Sequence, residues 1–183
     1  MGRVTLLALV LLACGKKDDH AVASDKPAPS APAGGAAAPP LVTSREPVGP
    51  GRVAVPGLGI SVAVPKAVRF RDMSSPGKPR VAIDLGDMSV DIIPGEATSP
   101  TIDDTKAALK AAANPLDKIT VERMTEGGWH LEYVALGQVD KNKLHGVDVH
   151  TTLGGTPYQC RAISRSSSEA AMYTAVCDSM QKP

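Results

Sequence analysis

Short runs of alternating apolar and polar residues fill most of the chain from residue 58 to residue 164, and glycine, proline, asparagine and serine separate them. Alternation with a period of two is the pattern of a β-strand that buries one face, and the intervening turn residues favour antiparallel neighbours. The pattern therefore predicts a mostly antiparallel sheet. The predicted strands are Leu58–Val64, Arg80–Leu85, Met88–Ile93, Lys118–Met124, Trp129–Leu136, Lys143–Thr152 and Tyr158–Ser164.

An alanine-rich stretch after the third run breaks this period and predicts a helix. Ser99 is a suitable cap, Pro100 fits the first helical position, and Asp103 and Asp104 suit the positive end of the helix dipole. The alanines have high helix propensity, and Asn114–Pro115 ends the predicted helix.

A second helix is predicted after the last strand, with Ser167 or Ser168 as its cap. Its apolar residues recur at steps of three and four and form one stripe, which consists of Met172, Tyr173, Val176 and Met180. The order of elements is then β-β-β-α-β-β-β-β-α. This order predicts an α+β fold, with about seven strands and two helices packed on the sheet, in a single globular domain over residues 51–183. The order and the size of the domain resemble those of the PsbP/Mog1-type sandwich domains, which include bacterial lipoproteins; the resemblance transfers no functional residue.

The first 13 residues have the layout of a secretory signal. A charged start with Arg3 precedes a ten-residue apolar run over residues 4–13, which is too short to span a membrane. The run ends in Leu11-Leu12-Ala13-Cys14, which resembles the lipobox of bacterial lipoproteins. The alternative is an ordinary signal peptide with a chance cysteine.

The lipobox resemblance implies that the Cys14 thiol carries a diacylglycerol, that the signal is cut before Cys14, and that the new amino group is acylated. Gly15 follows Cys14, where an aspartate would favour retention in the inner membrane. The resemblance thus implies anchoring to the outer membrane of a Gram-negative bacterium, with the domain on its periplasmic side.

Residues 14–50 form the predicted lipidated N-terminus and tether. Seven of the 27 residues from Ser24 to Pro50 are proline and six are alanine, so this stretch has too few large apolar side chains to fold. We expect a disordered spacer there. A proline-rich partner motif is the alternative.

Three cysteines are present, and lipidation of Cys14 leaves Cys160 and Cys177 as a pair in an oxidising compartment. A structural disulfide would join the last strand to the last helix. Free thiols and a redox pair are the alternatives, although the spacing is not that of a Cys-x-x-Cys motif.

Two of the predicted strands suggest one metal-binding arrangement. If the hairpin of Trp129–Leu136 and Lys143–Thr152 places residue 131 opposite residue 149, its polar face carries two imidazoles and two carboxylates, which could bind a divalent metal. The alternative is an ordinary solvated face. The four residues are His130, Glu132, Asp148 and His150.

The basic run Arg69-Phe70-Arg71, with Lys78 and Arg80 across a loop, predicts either the solvated end of a strand or a small positive patch for an anionic partner.

The charge balance excludes a basic nucleic-acid binder, because 20 Lys and Arg face 19 Asp and Glu and the net charge is +1. No motif for a nucleophile, a phosphate cradle or a cofactor is present. The sequence therefore predicts a non-enzymatic binding or accessory domain, held at a membrane by its lipid, that requires no cofactor and has an envelope protein as a possible partner. The alternatives are a metal-binding or metal-dependent hydrolytic protein and a mainly structural lipoprotein.

Overall fold

A computed structural model of the chain describes residues 46–86, 88–95 and 101–183. The signal segment, Cys14 and most of the predicted tether lie outside the described residues. Within those ranges, no helix is both long enough and apolar enough to cross a membrane.

The described residues form nine strands and two helices. In chain order these are β1 (Gly51–Val55), β2 (Ile60–Val64), β3 (Arg69–Asp72), β4 (Val81–Asp84), β5 (Ser89–Pro94), α1 (Ile102–Ala111), β6 (Leu116–Thr125), β7 (Gly128–Leu136), β8 (Lys143–Leu153), β9 (Thr156–Ser164) and α2 (Ser167–Asp178).

Seven of these strands form one antiparallel sheet in the order β3-β4-β5-β9-β8-β7-β6, and β1 pairs with β2 in a separate antiparallel hairpin. The predicted α+β class, with a mainly antiparallel sheet of seven strands and two helices, is confirmed. The chain leaves the sheet after β5, crosses it through α1 to the far edge at β6, and returns by successive hairpins until β9 pairs with β5.

The first face of the sheet carries the larger core. Helix α2 and the β1–β2 hairpin cover it, and the side chains that they bury include Phe70, Ile83, Ile92, Cys160 and Val176. This alternation of buried residues along each strand is the one expected for a covered sheet face.

The predicted disulfide is present between Cys160 on β9 and Cys177 on α2, with their Cα atoms 5.5 Å apart. Both cysteines are buried, so the bond joins a central strand to the helix within the core.

Two strands were missed in the sequence. β1 has only Val53 and Val55 to signal its buried side, and β3 has only Phe70 among charged neighbours. Runs this short carry too few repeats of the period for a prediction. In addition, Val48 pairs with Val68, so paired structure begins just before the predicted domain boundary at residue 51.

The helix caps also differ from the predicted ones. Thr101 caps α1, since its side chain accepts a hydrogen bond from the Asp104 backbone N–H; the predicted cap Ser99 and Pro100 lie outside the described residues. Ser166 caps α2 and accepts from the Glu169 backbone N–H, so the predicted caps Ser167 and Ser168 are wrong. The Ser-x-x-Glu spacing of a capping box was the signal for Ser166.

The second face of the sheet is only half covered by a helix. Helix α1 packs on β6 and β7 over a smaller cluster that includes Trp129, Leu131, Tyr133 and Ala135. From β8 to β3 the same face carries many polar side chains. This half of the second face holds the candidate site.

Candidate functional site

The β7–β8 hairpin does not have the predicted register. Leu131 lies opposite Asp148 and Glu132 opposite Val147, whereas the metal-site hypothesis required residue 131 opposite residue 149. A shift of one residue moves every side chain to the other face. His130 and Glu132 therefore lie on the first face, and Asp148 and His150 lie on the second.

The four-residue metal site of His130, Glu132, Asp148 and His150 is thus wrong. The metal-site hypothesis required a solvated face on this hairpin, but α2 packs on β8 on the first face and α1 packs on β7 on the second. Among the residues that the structure describes, no group of three or more His, Cys, Asp or Glu side chains is placed to hold a metal ion.

His130 instead joins strand β7 to the end of α2. Its ring is fully buried, with Nδ1 2.9 Å from Asp178 Oδ1 and Nε2 3.0 Å from Glu132 Oε1. Arg123 on β6 donates to Asp178 Oδ2 at 3.0 Å. Since both ring nitrogens already face carboxylates, this cluster is a structural connection between the sheet and the helix.

His150 lies on the second face and stacks on Trp129, with 5.7 Å between ring centroids and 13° between ring planes. Burial lowers the pKa of His150, so its ring is neutral at pH 7.

A groove of about 890 Å³ opens on the second face, beside α1. Hereafter "the groove" means this space. Its charged lining consists of Arg69, Arg71, Asp84, Asp91, Asp148 and Arg161. Its apolar and aromatic lining includes Met88, Leu109, Tyr133 and Ile163.

The strand register explains why these charges lie together. Arg71, Ala82, Asp91, Arg161 and Asp148 are successive cross-strand partners on β3, β4, β5, β9 and β8. Opposed residues on antiparallel strands point to the same face, so one row across five strands carries alternating charges.

Two of the arginines near the groove are held in ion pairs. Arg71 donates from Nε and Nη2 to the Asp84 carboxylate at 2.8 to 3.0 Å, which is a bidentate pair. Arg80 pairs with Asp91 through Nη2. The predicted basic run is thus a real edge strand with Phe70 buried on the first face, and carboxylates neutralise much of its charge.

Asp148 is the most buried charged group of the groove, with 5% of its surface exposed. Gln159 Nε2 donates to its Oδ1 at 2.8 Å. Within the described ranges, no cation makes an ion pair with Asp148, although Arg161 lies directly opposite it. Burial therefore raises the pKa of Asp148 to about 6.

Tyr133 forms one wall of the groove by packing its ring against Gly146. A Cβ at position 146 would lie 2.2 Å from a Tyr133 ring carbon, so only glycine leaves room for this ring. Burial and the nearby Asp148 carboxylate raise the pKa of Tyr133, which keeps its hydroxyl protonated and available as a donor.

Sequence reasoning missed most of the groove. Asp148 was singled out but with the wrong partners, and Arg69 and Arg71 were assigned either to the solvated end of a strand or to a small positive patch. The run Val147-Asp148-Val149 gave no signal for the groove, because alternation of apolar and polar residues is also the pattern of a strand with one solvated face.

No known family model matches this chain, and no curated protein sequence is significantly similar to it.

Proposed function

We propose that this chain is a lipid-anchored binding protein of the bacterial envelope, and that its folded domain takes up its ligand in the groove. The observation that carries the proposal is the pair of opposed side chains on the groove floor, Asp148 and Arg161, which form no direct ion pair with each other although they face each other across β8 and β9. Buried or half-buried charges of this kind are stabilised when a ligand supplies the missing partner.

The size and lining of the groove support binding. Small-molecule sites commonly occupy 300 to 1,000 Å³ and combine apolar walls with a few convergent polar groups. The groove has about that volume, with Leu109, Tyr133 and Ile163 on one side and the charged row on its floor. Its lining offers charged and apolar groups for the recognition of a ligand.

The anchor is proposed from the N-terminal sequence. Residues 4–13 and Cys14 provide the signal and the acylation site by resemblance to the lipobox, and the proline- and alanine-rich stretch from Ser24 to Pro50 supplies the spacer. Two or three acyl chains hold a protein at a membrane far more firmly than one. We place the domain on the periplasmic side of the outer membrane.

Labelling with a palmitate analogue tests the anchor. The intact chain should incorporate label and fractionate with outer membranes, whereas Cys14→Ser should incorporate none. Incorporation into Cys14→Ser, or none into the natural chain, would contradict the anchor without bearing on the groove.

Thermal unfolding of the intact, detergent-solubilised chain tests the groove. The probe is a periplasmic extract divided by dialysis into a small-molecule and a macromolecular fraction. One fraction should raise the melting temperature of the natural chain and of the control Arg165→Gln, but not that of Arg161→Gln. Arg165 is a suitable control because it is exposed and lies outside the groove lining.

The fraction that acts would identify the kind of ligand. A shift with the macromolecular fraction alone would point to an envelope protein partner, and a shift with the small-molecule fraction to a solute. No shift with either fraction, or an equal shift in Arg161→Gln, would contradict binding in the groove.

A further inference from the structure

The floor of the groove presents one acid and one base at neighbouring positions. Asp148 on β8 and Arg161 on β9 are directly opposed across the strand pair and point to the same face. Opposed residues on antiparallel strands have Cα atoms about 4.5 to 5.5 Å apart. A ligand that touches both must therefore carry a positive and a negative group close together.

Asp148 has the chemistry of a site for an ammonium group. Its carboxylate is buried and receives one amide hydrogen bond, from Gln159, while no cation of the described residues pairs with it. A buried carboxylate is most stable as an anion when a cation and further N–H donors approach it. A primary ammonium supplies one charge and three donors.

Arg161 has the chemistry of a site for a carboxylate. Its side chain is 45% exposed, and its one ion-pair contact, to Asp91 Oδ2, is long at 3.9 Å. That Asp91 oxygen is already paired with Arg80. The planar guanidinium therefore retains donors for a second carboxylate, which it binds best in a bidentate geometry.

The walls beside this pair are apolar. Ile163 lies two residues beyond Arg161 on the same face of β9, Tyr133 stands next to it over Gly146, and Leu109 faces them from α1. A charged ligand side chain directed at these walls would lose water without gaining a partner, whereas an apolar one would bury surface favourably.

We propose that the groove binds a free α-amino acid with an apolar side chain, with its ammonium at Asp148, its carboxylate at Arg161 and its side chain against Tyr133, Leu109 and Ile163. A single carbon separates the two charged groups of such a molecule, which matches two opposed side chains on neighbouring strands. This inference rests on the proposed function and names the ligand class for the same groove.

Isothermal titration calorimetry of the intact chain in detergent tests the proposal. Leucine is the probe, N-acetyl-leucine lacks the ammonium, leucinamide lacks the carboxylate, and glutamate and lysine have charged side chains. Leucine should bind, and each of the other four compounds should bind at least about tenfold more weakly, because each loses a charge-assisted contact or buries an unpaired charge.

Variants assign the two ends of the ligand. Asp148→Asn should remove the preference for leucine over N-acetyl-leucine, and Arg161→Gln should remove the preference for leucine over leucinamide. Arg165→Gln should bind as the natural chain does. Circular dichroism melting curves identify any variant that fails to fold; for such a variant, the analogue series on the natural chain still decides the question.

Equal binding of leucine and its two blocked analogues would overturn the proposal, and so would an absence of binding by leucine. If leucine does not bind but the dialysed small-molecule fraction still raises the melting temperature through Arg161, then the amino-acid assignment fails and the binding function stands. If leucine does not bind and the small-molecule fraction does not raise the melting temperature of the natural chain, both the amino-acid assignment and the binding of small molecules in the groove are contradicted.

Discussion

Cys160 and Cys177 form a disulfide in the core, where strand β9 at the centre of the sheet meets helix α2. The bond closes a sequence separation of 17 residues, and the chain has few large aromatic side chains to fill its core, with aromatics at 3% of all residues. Helix α2 covers the first sheet face, so its attachment to β9 maintains the larger core.

The double substitution Cys160→Ala with Cys177→Ala should lower the free energy of unfolding by about 3 kcal/mol, because a loop of this length is freed in the unfolded chain. Urea denaturation at neutral pH measures it, and reduction of the natural chain should produce a loss of similar size. A loss well under 1 kcal/mol would show that the bond contributes little.

Gly146→Ala should destabilise the fold by about 1 to 3 kcal/mol, because the new Cβ would overlap the Tyr133 ring. The control is a double-mutant cycle with Tyr133→Leu. Removing the ring should recover much of the cost of Gly146→Ala, so the two changes should not add. Simple additivity would show that the ring does not depend on the glycine.

Asp148→Asn should stabilise the free protein at pH 7 by up to about 3 kcal/mol and have little effect below pH 4. The folded pKa of Asp148, about 6, lies above the ordinary value of 3.8. Below pH 4 both states are protonated. Between these two pKa values Asp148 keeps its proton only in the folded state. Above pH 6 its carboxylate is ionised in the folded state as well, and the folded state then carries the full free-energy cost of the buried charge.

The natural chain should accordingly lose stability through this group as the pH rises from about 4 to above 6, and asparagine, which can still accept the Gln159 hydrogen bond, should remove that loss. Urea denaturation at several pH values measures the difference. A difference that is constant with pH, or largest at low pH, would contradict the raised pKa.

His130→Ala should lower the free energy of unfolding by about 2 to 4 kcal/mol, because it leaves a cavity where the buried ring packs and removes the hydrogen bonds of the ring with Asp178 and Glu132. His145→Ala is the matched control, since His145 is a half-buried histidine on β8 outside this cluster. Comparable losses in both variants would show that the His130 cluster does not secure the end of α2.

Much of the fold could be predicted because most strands carry their own local period. The helices and the turns could also be predicted from residues that lie close together in the sequence. The Cys160–Cys177 disulfide could be predicted because these two cysteines remain once Cys14 is assigned to lipidation. The register of the β7–β8 hairpin could not be predicted in this way. The buried apolar residues of β7 and those of β8 lie on opposite faces of the sheet, so their apolar character does not show which residues are opposed. They are Trp129, Leu131 and Tyr133 on β7 and Val147 and Val149 on β8.

The groove could not be predicted for a related reason. Asp91 and Arg161 become neighbours because β5 pairs with β9, which is about 70 residues away in sequence. No local pattern encodes that pairing. The opposition of Asp148 and Arg161 depends instead on the register of the β8–β9 hairpin, in which consecutive strands pair.

The central claim is that the polar half of the second sheet face is the binding site, and two-dimensional NMR of the isotope-labelled intact chain tests it most directly. Addition of the dialysed periplasmic fraction that raises the melting temperature should shift the backbone signals of Asp148, Arg161, Ile163 and Tyr133, while signals of α2 stay in place. Shifts concentrated on α2 and the first face, or no shifts with either the small-molecule or the macromolecular fraction, would contradict it.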